Sequence, residues 1–93
     1  DSGYTANNAA LITFTLPATA AYGSVFSIVG KGTGLFTIAQ NSGQTIHFGS
    51  LSTTTGVGGS ISSTLQYDVI TCLCTVANTD FTVIDSIGSL TIV

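Results

Sequence analysis

The sequence predicts an all-β chain: a small antiparallel β-sandwich or barrel, jelly-roll-like, of seven or eight short strands. Three observations carry this. Apolar residues recur at every second position in short runs, the period of a half-buried strand. Glycine- and asparagine-rich stretches separate the runs, as turn chemistry requires. Helix signals are missing, because the alanine patches at Ala9–Ala10 and Ala18–Ala21 are too short and too close to Pro17 to nucleate a helix.

Taken in order, Ile12, Phe14 and Leu16 alternate with Thr13 and Thr15 and stop at Pro17, which has no amide hydrogen to continue a ladder. Phe26 and Ile28 flank Ser27 in a second strand ended by Gly30. Phe36 and Ile38 flank Thr37 in a third, and Ile46 and Phe48 flank His47 in a fourth. The linkers Gly30-Lys31-Gly32-Thr33-Gly34 and Asn41-Ser42-Gly43-Gln44 are short enough to join hairpin neighbours. Leu51–Thr64 shows no sustained alternation and reads as the longest loop, with a short strand near Ser60–Ser63. Loops of this length are commonly functional, so Thr53, Thr54, Thr55, Val57 and Ser60 form the candidate contact loop.

Asp68–Val76 is the longest strand. Ile70, Cys72, Cys74 and Val76 share one face and Val69, Thr71, Leu73 and Thr75 the other; apolar residues on both faces mark a central strand. Asn78-Thr79-Asp80 turns it back into Phe81–Ile84 as a hairpin, and Leu90–Val93 forms the last strand. The 93 residues make one domain, with residues 1–10 as an extended N-terminal arm.

Charge is nearly absent. Charged residues make up 5% of the chain, against about 25% in ordinary soluble domains. Lys31 is the lone cation, and the acids are Asp1, Asp68, Asp80 and Asp85. Such a chain has no electrostatic footprint for a phosphate backbone, which excludes nucleic acid as a partner. No run approaches the roughly 20 apolar residues of a membrane-spanning helix, so no membrane insertion is expected. The opening Asp1-Ser2-Gly3-Tyr4 has neither the basic nor the apolar region of a signal peptide. A processed product, an excised fragment or release by lysis is therefore expected. The mean hydropathy of +0.58 points to a surface that packs against copies of itself rather than one kept apart by charge.

No motif carries chemistry. Cys72 and Cys74 lie two apart on one strand, roughly 6.5–7 Å between Cα atoms, at the edge of disulfide reach. They read as a buried inert pair, with bridging between subunits as the alternative. With His47 as the lone histidine, no metal site is expected. His47 with Asp68, Asp80 or Asp85 would need a positioned nucleophile to act as a triad, and no nucleophile elbow occurs, so no catalytic residue is assigned. The Gly30-x-Gly32-x-Gly34 run lacks phosphate-loop spacing and reads as a hairpin turn, and no cofactor is expected. Tyr4, Tyr22 and Tyr67 are candidates for stacking on a sugar, which keeps a cell-surface glycan among the partners.

The segments Leu16–Gly23, Phe26–Gly32, Ile38–Gly49, Thr53–Ser60 and Val76–Val83 resemble β-rich modules of bacteriophage tail-fibre-like proteins and of large bacterial surface proteins. The resemblance covers nearly the whole chain from Tyr4 onward. It implies a repeating or terminal fibre module, often homotrimeric, that is extracellular, at the cell surface or on a virion, and that spaces or presents receptor-binding surfaces. It brings over no catalytic residue. Those modules usually sit in longer fibres, so a second reading stays open: a pilin-like subunit that polymerises into an extracellular filament by strand exchange. The partners expected are copies of the chain itself, as a homotrimer or a helical polymer. The candidate assembly strands are the N-terminal one, with Ile12, Phe14 and Leu16, and the C-terminal one, with Leu90 and Ile92.

Overall fold

The alternating pattern is realised as ten strands and no helix among residues 2–93, which the computed structural model describes. They are β1 (Ser2–Ala6), β2 (Ile12–Thr15), β3 (Val25–Gly30), β4 (Phe36–Ala39), β5 (Thr45–Phe48), β6 (Leu51–Ser52), β7 (Ser60–Ser62), β8 (Val69–Val76), β9 (Asp80–Ile87) and β10 (Thr91–Ile92). Eight of these match the strands expected from periodicity. The other two are β1, inside the expected arm, and β6, inside the expected loop.

The strands form a six-stranded sheet in the order β1-β3-β8-β9-β5-β6 and a four-stranded sheet in the order β10-β7-β4-β2. Inward residues of both make one core, in which Ile28, Phe36, Ile38, Ile46, Ile61, Ile70, Cys72, Cys74 and Phe81 are essentially inaccessible to solvent. This is a small β-sandwich. Its sheets are mixed: β1 with β3, β2 with β4, and β5 with β9 run parallel, and the remaining pairs antiparallel.

The parallel pairs arise because the expected hairpins at Gly30–Gly34 and Asn41–Gln44 do not form. Both stretches carry the chain from one sheet to the other instead. Among the described residues, residues 7–11, 31–35, 63–68 and 88–90 all make such a crossing at one end of the sandwich. The result is four nested V-shaped units, β1–β2, β3–β4, β7–β8 and β9–β10, each with one arm per sheet, so that both sheets share one order of units. The opposite end, where the arms open, is the mouth. By contrast β8 and β9 form the expected hairpin, with Asn78 at φ 67° in its turn.

The first V lies on the second in constant register. From Ser2↔Phe26 to Ala6↔Gly30, and again from Ile12↔Phe36 to Thr15↔Ala39, each residue partners the one 24 positions later. The ladder does not break at the corner, where Gly32 N donates to Ala6 O (2.7 Å) and Gly34 N donates to Asn8 O (2.9 Å). Two glycines make this approach possible. A Cβ on Gly32 would collide with the Asn8 backbone and one on Gly34 with the Ala10 backbone.

Side-chain amides tie segments together across the mouth. Asn78 Oδ1 accepts from Ala20 N at 2.7 Å while Asn78 N donates to Ala20 O at 3.0 Å. Gln44 Nε2 donates to Pro17 O (2.8 Å) and Asn78 O (3.1 Å), and its Oε1 accepts from Asn41 N (2.7 Å). Gln40 Nε2 lies 2.8–2.9 Å from the carbonyls of Gln44, Thr54 and Gly56. Its Oε1 accepts from Thr53 Oγ1, which in turn accepts from Ile46 N. Among the described residues every buried side-chain polar atom has a partner, as a low-dielectric interior demands. At the corner end, buried Asp68 caps its own turn, accepting from Thr64 N (2.9 Å) and Leu65 N (3.1 Å).

Candidate functional site

The candidate assembly residues all fall within the chain's own sandwich. Ile12 and Phe14 are half-buried on β2, and Leu16, just past it, is buried. Phe14 stacks edge-on against Phe36 and tilts against Tyr4, with ring centroids 6.4 and 5.7 Å apart. Leu90 and Ile92 are half-buried against the core. The C-terminal strand is an edge of the four-stranded sheet, and its last residue is held there, since Val93 N donates to Ser60 O (2.9 Å) and Val93 O accepts from Thr54 N (2.9 Å).

The candidate contact loop divides. Thr53 is turned inward into the Gln40 cluster and is buried, which removes its side chain from any outer surface. Ser60 is half-buried as the first residue of β7. Thr54, Thr55 and Val57 remain exposed, Val57 at 75%. The segment is ordered because Gly56 N donates to Gln44 O (2.8 Å) and Thr55 Oγ1 bonds to Thr45 Oγ1 (2.7 Å). Periodicity does not reveal such a segment, as its order comes from amides elsewhere in the chain.

A surface that sequence reasoning did not single out is the outer face of the six-stranded sheet. Val29, Val69 and Ile87 are direct cross-strand neighbours on β3, β8 and β9. They form an apolar row, with Ile87 61% exposed. Leu73 stands two rungs along on β8, and Ile84 is exposed at the β-bulge of β9. Ser27 and Thr71 bond to each other across the same face (2.8 Å). Asp85 pairs in register with Thr71 and is the carboxylate at the centre of this face. The central-strand signature of β8 foretold apolar side chains here; Val69 and Leu73 stand half-buried on this face beside the exposed Ile84 and Ile87 of β9.

His47 and Asp80 meet at the β5 side of this sheet, Nε2 to Oδ2 at 3.2 Å, both more than a third exposed. Among the described residues no serine or threonine hydroxyl bonds to His47. Cys72 and Cys74 are free thiols, fully buried side by side in the core. Burial pushes the Cys72 thiol up to about 12, because the thiolate would lose its hydration. No group of three or more metal-ligating side chains occurs among the described residues. Tyr22, 78% exposed, lies at the mouth, whereas Tyr67 lies at the corner end, its amide donating to Gly30 O.

A cavity of about 470 Å³ lies between the sheets at the mouth. Tyr4, Phe14 and Leu16 of the N-terminal V line it together with Phe26, Ile38 and Phe81 of the remaining core. Comparison with protein families, with curated proteins and with solved structures finds no match for this chain.

Proposed function

We propose that this chain is a structural module that self-associates into an extracellular or virion fibre, packing as a tail-fibre-like homotrimer. The observation that carries the reading is the half-buried apolar row Val29–Val69, ending in the exposed Ile87 and with Leu73 beside it, on a chain whose charged residues amount to 5%. Burying such a row gains about 25 cal/mol per Å² of apolar surface, and Asp85, the one carboxylate on this face, is the charge whose desolvation opposes it. Hydroxyl pairs such as Ser27–Thr71 are already satisfied within the sheet and so tolerate burial. The resemblance of Phe26–Gly32 and Ile38–Gly49 to fibre modules supports the same reading. The exposed Thr54, Thr55 and Val57 lie away from this face and suit a contact or tip position.

A filament joined by strand exchange is the second reading, favoured by the position of residues 2–16 as the edge of both sheets at once. A monomeric glycan-binding module is less well supported, since Tyr67 stands at the opposite end from Tyr4 and Tyr22, and the Tyr4 ring is packed against Phe14. Negative-stain microscopy of the purified chain separates these outcomes. Compact three-fold particles support the homotrimer, long polymers support the filament, and isolated single-chain particles contradict both.

A further inference from the structure

We propose that residues 2–16 are an exchangeable arm, and that the seat holding them on their own chain also takes the same segment of a second copy. This rests on the self-association reading and specifies one joint by which copies can be linked.

The occupant is defined by the seat itself. Along its length the arm is laddered onto one neighbour, the β3–corner–β4 unit, at the constant 24-residue offset. Gly32 and Gly34 provide the space for the arm's corner, and a side chain at either position would fill it. Tyr4, Ala6, Ile12, Phe14 and Leu16 point inward over Ile28, Phe36 and Ile38. An emptied seat would expose these core residues and unpair two strand edges, so it demands an occupant of this shape. An arm from a second copy restores every one of these bonds.

Two further features make release feasible. The connection out of the arm, Pro17-Ala18-Thr19, is exposed, and the next residue, Ala20, is doubly bonded to Asn78. The arm can therefore swing about Ala18 and Thr19 once Gln44 Nε2 lets go of Pro17 O and Asn41 Nδ2 of Leu16 O, while the sandwich behind it stays pinned. The 470 Å³ cavity also lies between the arm's side chains and the core, so the mouth half of the arm forfeits packing contacts. Its attachment is backbone ladder, corner fit and the burial of Ala6 and Leu16, all of which re-form identically in trans.

The experiment uses full-length chains that each carry half of a cross-link. Thr13 and Thr37 are register partners across the arm–seat boundary. One preparation carries Thr13→Cys and another Thr37→Cys; the two are mixed, incubated and treated with a short bismaleimide. Native Cys72 and Cys74 are buried and silent. Exchange predicts a heterodimer bridged between positions 13 and 37, identified by peptide mass spectrometry. Its yield should exceed at least ten-fold that of Thr13→Cys mixed with Thr91→Cys, which lies at the far edge. The pair Thr5→Cys with Val29→Cys repeats the test in the other sheet. Heterodimer at control level in both pairs overturns the arm proposal. If the chain still associates by light scattering in that case, self-association stands and exchange alone is wrong.

Discussion

Gly34 sits so close to Ala10 that a Cβ added to it would stand 2.7 Å from the Ala10 nitrogen and would overlap the Ala10 carbonyl. This contact, with its neighbour at Gly32, gives the glycine run its structural purpose: it brings two chain corners within hydrogen-bonding distance. Gly34→Ala should therefore push the arm's corner away and cost about 1–3 kcal/mol, the usual range for overpacking a close contact. The arm should also become the preferred site of limited proteolysis. Gly58→Ala is the control, since a Cβ there meets nothing within 4 Å, and it should leave stability within about 0.5 kcal/mol.

Gln44 links three segments that are far apart in sequence: Pro17, Asn41 and Asn78. Gln44→Leu keeps the volume and removes the bonds, leaving three part-buried partners unsatisfied. Each such group costs about 1–3 kcal/mol, so urea denaturation should show a loss of roughly 2–4 kcal/mol. A loss below the uncertainty of the fit would show that water replaces the amide and that the mouth is not held by it.

Cys72 should resist alkylation in the native chain at pH 8 and react once the chain is unfolded, read by intact mass. The pH dependence follows from its raised value of about 12. The unfolded thiol loses its proton near its ordinary value, whereas the folded one keeps it. This contribution to stability is therefore complete below the unfolded value and declines as the pH rises from there toward about 12. Cys72→Ala should flatten the alkaline limb of the stability curve.

The strands that the sequence made legible are those whose apolar residues alternate over three or more positions. Ile12–Leu16, Phe26–Ile28 and Asp68–Val76 each sit within a residue or two of β2, β3 and β8. β1 escaped because Ala6 and Tyr4 make a weak inward face against Gly3 and Thr5. β6, at two residues, has no period to detect. β9 runs on to Ile87 past the expected end at Ile84, because a bulge there turns an apolar side chain outward and interrupts the alternation. Partner choice was the larger gap. A glycine-rich linker of hairpin length says nothing about whether the next strand joins the same sheet, and at Gly30–Gly34 it joins the other one. The candidate site was legible at its strands, but not at the outer face. The apolar run Val69–Leu73 showed that both sides of β8 are greasy, while the row it forms with Val29 and Ile87 depends on register.

The central claim, association through the outer face of the six-stranded sheet, is tested most directly by molar mass in solution. Multi-angle light scattering should be run on the native chain and on Val69→Lys over the same concentrations. A charge at position 69 falls in the middle of the Val29–Val69–Ile87 row, where it stays solvated in a lone chain but must be desolvated in an assembly. The account predicts a multiple of 9.4 kDa for the native chain and a clear fall in mass for Val69→Lys, with arm exchange as the sole remaining joint and the β circular dichroism unchanged. A native chain that stays at 9.4 kDa throughout, or a Val69→Lys chain that assembles as the native one does, would contradict it.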